Sequence, residues 1–125
     1  MVTRSRQGAT VRRAGQMPKM AGLAEVARFE CAGDVRAMSV GRLPSGELVL
    51  EERLEGPSAL LAHGAQKVAL YVASEGIDEE ELAEFARDEN NDILDLMDSM
   101  DEKGVPYRFW GGSVDNVIVF RPKQG

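Results

Sequence analysis

Residues 79–104 read EEELAEFARDENNDILDLMDSMDEKG. At about 100° per residue, Leu82, Phe85, Ala86, Ile93, Leu96, Met97 and Met100 fall within a stripe about 120° wide, the face an amphipathic helix buries. The stripe stays in phase across the polar RDENND, so the pattern predicts one helix over 79–103 rather than two. Asp78 stands before it as an N-cap, Glu81 three residues on completes a capping box, and Ile77 staples onto Leu82. At the far end Gly104 suits the left-handed position just past a helix, Val105 packs back on Met100, and Pro106 forbids continuation.

Upstream the apolar period changes from helical to two. In EVARFEC, Ala27, Phe29 and Cys31 share one face with Arg28 and Glu30 opposite; AGD makes a turn before VRAMSVGR; LPSG turns again into ELVLEERL, where Leu48, Leu50 and Leu54 alternate. Three strands on short turns predict an antiparallel meander with one wet face. GPSALLAHG reads as a short helix, with Pro57 at its first position and Gly64 past its end. KVALYVA is apolar on both faces and reads as a central strand. PYRFW and NVIVFR, flanking GGSVD, close the chain as a hairpin. The expected fold class is α+β: a mixed, mostly antiparallel sheet of about six strands with one long amphipathic helix on one face. Residues 21–125 form a single domain and residues 1–20 a basic disordered tail.

Hydrophobic residues at 43% and charged residues at 29% describe a soluble globular chain. No apolar run approaches the roughly 20 residues that span a bilayer. The single cysteine excludes an internal disulfide, and the expected location is cytoplasmic. The net charge of −6 is unevenly spread. Residues 1–20 carry Arg4, Arg6, Arg12, Arg13 and Lys19 without an acid, whereas residues 75–103 hold thirteen acids against Arg87 and Lys103. A body this acidic repels nucleic acid and attracts a basic partner.

DENND places Asp88, Asn90 and Asp92 like the first calcium ligands of an EF-hand loop. The loop's glycine and bidentate glutamate positions, however, are Ile93 and Ser99, so no metal is expected. Cys31 continues an apolar strand face and His63 sits in the last turn of a short helix, which assigns neither a catalytic role. WGGSVDN precedes a strand and has no following lysine, unlike a phosphate loop. No cofactor is expected. Glu89 falls inside the apolar stripe, where a carboxylate has a raised pKa and marks a candidate pocket. On the opposite side of the wheel Glu84, Asp88, Asp95, Asp98 and Glu102 line a single-sign face about 35 Å long. Its last acids oppose the helix dipole, and its like-charged steps each cost about 0.2–0.5 kcal/mol. Arg108 and Trp110 face away from the helix, an aromatic–arginine pair suited to a contact.

These features favour a small non-catalytic binding protein that docks its acidic helix on a basic protein partner, as inhibitors, immunity proteins, antitoxins and nucleic-acid mimics do. Two alternatives remain. One is a small-molecule-binding or enzymatic domain with a pocket near Glu89 and Trp110. The other is an oligomeric accessory protein, a homodimer through its open sheet face.

Overall fold

The computed structural model describes residues 22–113. Strands β1 (Ala24–Cys31), β2 (Asp34–Arg42), β3 (Leu48–Glu55), β4 (Lys67–Ser74) and β5 (Arg108–Ser113) form one sheet in the order β1-β2-β3-β4-β5. Helix α1 (Pro57–His63) joins β3 to β4, and α2 (Glu79–Arg87) and α3 (Ile93–Lys103) join β4 to β5. The chain is therefore α+β, as expected, but two particulars differ. The described sheet has five strands, not six, and its four pairings are all antiparallel, not mixed. The segment 116–121 expected as a further strand and the basic tail 1–20 lie outside the described residues. The expected GGSVD loop begins later than anticipated, because Gly111–Ser113 belong to β5.

The second difference is the helix break. α2 ends at Arg87 and α3 begins at Ile93. The five polar residues between them replace helical hydrogen bonds with local ones in which side chains take part. The Asp88 carboxylate accepts the Asn90 N–H at 2.9 Å, the Asn91 amide donates to the Phe85 carbonyl at 3.2 Å, and the Asn91 N–H reaches the Asp88 carbonyl at 3.0 Å. Asp92 then caps α3: it accepts from Asp95 N–H at 2.9 Å while the Asp95 carboxylate accepts from Asp92 N–H at 3.0 Å. The reciprocal capping box expected at Asp78 and Glu81 thus occurs one helix later, and Asp78 alone accepts from Glu80 and Glu81 N–H. Such caps are worth about 1 kcal/mol each, enough to set a boundary between two short helices.

Other local signals act as read. Pro57 opens α1 and Gly64, at φ 78°, closes it. Gly104, at φ 71°, ends α3 in a Schellman closure: its N–H reaches Asp101 O at 3.2 Å, and Val105 N–H reaches Met100 O at 2.9 Å.

Antiparallel register sorts β-strand side chains onto two faces. On the helix side Met38, Val40, Leu48, Leu50, Val68, Leu70 and Val72 pack against Leu82, Ala86, Ile93, Leu96, Met97 and Met100. On the other side Val49, Tyr71, Ala73 and Trp110 pack with Leu43. This second face is not the wet face expected of the meander, since Ala37, Ser39, Val49 and Glu51 are all buried on it. β1 carries a bulge between Glu25 and Ala27. The extra residue turns both Glu25 and Arg28 toward the second face, and Ala27 and Phe29 toward the helices.

Candidate functional site

The acidic residues read from sequence lie along the outer side of the helical layer. Glu84, Asp88, Asp95 and Glu102 are exposed and Asp98 is half-buried. The broken helix gives several carboxylates structural tasks that a continuous helix would not. Asp88 holds the turn, Asp92 and Asp95 cap α3, and Asp101 accepts from the Tyr107 hydroxyl at 3.0 Å. Asp95, in the first turn of α3, now lies at the favourable end of a dipole. Glu84, Glu89 and Glu102 carry no such assignment. Glu89 is exposed in the turn and does not face the core, because the break takes it out of the stripe. Trp110 lies on the far side of the sheet, so the expected pocket joining the two does not form.

The buried carboxylate of the helical layer is Glu52 instead, 3% exposed. It occupies the apolar face of β3, in step with Leu48, Leu50 and Leu54, and accepts the first N–H of α3, from Ile93, at 2.8 Å. Arg36, on the adjacent β2, stands 3.8 Å from it and donates to the carbonyls of Asn91, at 2.6 Å, and Glu89. Its guanidinium also lies 4.8 Å over the Phe29 ring. Two sheet side chains thus pin the turn between α2 and α3. Burial pushes the Glu52 carboxyl up to about 7, against the opposing pull of the Ile93 N–H and Arg36, and Asp92 and Asp95 push the same way as burial.

Sequence reading pairs Arg108 with Trp110, and the structure brings them together: the guanidinium lies 4.8 Å from the ring centroid. Trp110 is only 3% exposed, so it fills the second sheet face and is not an open contact anchor; among the described residues its Nε1 has no hydrogen-bond acceptor. Arg108 also pairs with Glu47. Burial works against the charge of Glu47, yet hydrogen bonds from Arg108 and Ser45 outweigh it and hold that carboxyl below its usual range. Cys31, expected to be buried, is exposed at the end of β1 beside the two-residue turn Ala32–Gly33.

Sequence reading missed a row of polar groups on the second face. Glu25 pairs with Ser39, Ser39 with Glu51, Glu51 with Tyr71 and Tyr71 with Trp110, so these five cross the whole sheet in register. Glu51 is 5% exposed and lies 3.2 Å from Arg53 Nε. Burial and a hydrogen bond to the Glu51 carboxylate push the Tyr71 phenol up to about 12, which fixes it as a donor at neutral pH. A trough of about 450 Å³ opens beside this row, along β2. Its signal in the sequence is the pair Glu51–Glu52: two consecutive acids in a central strand must face opposite, covered sides.

Among the described residues no group of three or more His, Cys, Asp or Glu side chains is placed to hold a metal ion, and no helix is long and apolar enough to cross a membrane. Neither a family model, nor a curated protein, nor a solved structure matches this chain.

Proposed function

We propose that this chain is a non-catalytic binding protein that docks a basic protein partner on its helical layer. The supporting observation is the charge of that layer. From Glu79 to Lys103, Glu79, Glu80, Glu81, Glu84, Asp88, Glu89, Asp95 and Glu102 are exposed, against the two cations Arg87 and Lys103. Helix capping accounts for some of these acids, but not for Glu84, Glu89 and Glu102, whose carboxylates make no hydrogen bond or ion pair among the described residues. A single-sign surface steers an oppositely charged partner and raises its association rate.

The test is Glu84→Gln, Glu89→Gln and Glu102→Gln combined, which removes three charges and no cap. The immobilised full chain should retain a basic protein from cell extract at low ionic strength, and the triple variant should associate with it several-fold more slowly. The difference should vanish at high salt, where the Debye length falls to about 3 Å. Equal capture by both proteins at low salt would end this reading.

A further inference from the structure

The trough on the sheet face away from the helices is independent of the acidic layer and has its own chemistry. β2 contributes Val35, Ala37 and Ser39 to its floor, while β1 raises a charged wall of Glu25 and Arg28 on one side and β3 one of Glu51, Arg53 and Glu55 on the other. At the level of Ser39 the walls are Glu25 and Glu51; at the level of Ala37 they are Arg28 and Arg53. The β1 bulge creates this match, since without it Glu25 and Arg28 would face opposite sides of the sheet. One level therefore offers two carboxylates across the trough and the next offers two guanidiniums, with Glu55 beyond them at the level of Val35. Residues two apart along a strand are separated by about 7 Å.

The floor is built rather than incidental. Glu51 and Ser39 are 5% and 8% exposed, and Tyr71 and Arg53 hold the Glu51 carboxylate in place. Among the described residues nothing hydrogen-bonds the Ser39 hydroxyl. Arg28 spends its Nε and one terminal nitrogen on Glu25, at 3.2 and 3.0 Å, and its other terminal nitrogen lies 3.8 Å from Glu30; Arg53 spends its Nε on Glu51. Each guanidinium has five N–H donors, more than these contacts use, and the remainder can turn to an anion in the trough. The volume, about 450 Å³, lies within the range of small-ligand sites.

We propose that this trough binds a small zwitterion whose ammonium and carboxylate groups lie about 7 Å apart. The ammonium sits between Glu25 and Glu51 beside the Ser39 hydroxyl, and the carboxylate sits between Arg28 and Arg53 over Ala37. Neither end alone suffices, because each wall pair is already partly neutralised by its neighbour of opposite sign.

The experiment is titration of the full-length chain, followed by amide chemical shifts, with ε-aminocaproate as the zwitterion and caproate and hexylamine as its single-charge analogues. ε-Aminocaproate should shift the β2 amides around Ala37 and Ser39 and saturate, with both analogues at least about ten-fold weaker. Ala37→Leu, which fills the floor without touching a charge, should abolish the shifts. Arg53→Gln, a change at an exposed side chain in a fold verified by circular dichroism, should weaken binding about ten-fold. Absence of shifts up to about 10 mM, the weak end of the affinity scale, would overturn the proposal. So would binding of caproate or hexylamine as tight as that of ε-aminocaproate, or indifference to Arg53→Gln.

Discussion

An ionised Glu52 has to be carried between β3 and α3 with Arg36, 3.8 Å away, as its counter-charge. Its carboxyl titrates near 7 in the fold against an ordinary value of 4.5, because burial disfavours the charged form. A raised carboxyl pKa means that the stabilising, protonated form is fully available below about 4.5, and that its contribution is lost as pH rises through about 7. At about 1.4 kcal/mol per pKa unit the loss amounts to about 3 kcal/mol. Glu52→Gln keeps an acceptor for the Ile93 N–H and removes the titration. Its stability relative to the parent, measured by urea unfolding from about pH 5 to about pH 8, should therefore rise with pH and approach a gain of about 3 kcal/mol, the Arg36 attraction being already contained in the titration value. A second residue carries conformational strain. Ala32 sits at φ 51° before Gly33 at φ 87° in the turn joining β1 to β2. Both positions are left-handed, the geometry in which Asn-Gly is preferred. Ala32→Asn should raise stability by about 0.5–1 kcal/mol, checked by the same unfolding midpoint.

At the scale of elements, the strands and caps were legible and the helix boundary was not. β4 is apolar on both faces because α2 and α3 cover one side and the Tyr71–Trp110 cluster occupies the other. Gly64 and Gly104 end their helices in the positive-φ conformation their positions implied. The break at Asp88–Asp92 was hidden because Ile93, Leu96 and Met97 after it face the same core as Leu82 and Ala86 before it, so the apolar stripe carries no trace of the interruption. Its local signal was Asp92 followed by Asp95, a capping box built with a shorter acid than the usual glutamate. Asp92→Ala should cost about 1 kcal/mol and reduce the far-UV helical signal, since it orphans the Asp95 N–H and frees the start of α3. The candidate site was partly legible for the same kind of reason. Exposed acids and the Arg108–Trp110 pair can be read from helix and strand periodicity. Glu51, Arg53, Ser39 and Tyr71 come together only through cross-strand register, which the sequence of one strand does not carry.

Over the whole molecule, charge and topology set the remaining expectations. The chain carries a net −6, and the triple change Glu84→Gln, Glu89→Gln and Glu102→Gln halves it. Relief of self-repulsion should stabilise the free protein by a few tenths of a kcal/mol per site at low ionic strength, about 0.2–0.5 each, and by less at high salt. Excess calcium or zinc should leave the melting temperature unmoved, because a ligand that binds only the folded state must raise it; an upward shift would locate a metal site that the described residues do not form. The strand order β1-β2-β3-β4-β5 also sets a timetable for a chain emerging from the ribosome. β1, β2 and β3 are joined by tight turns, so their hairpins close within microseconds of synthesis. At about 5–20 residues per second, the stretch from Glu55 to Lys103 takes roughly 2–10 s to follow. Throughout that interval the nascent meander carries Met38, Leu48 and Leu50 with no helix over them. A trigger for chaperone capture, or for pairing with a neighbouring polysome's chain, is therefore written into the order of the strands.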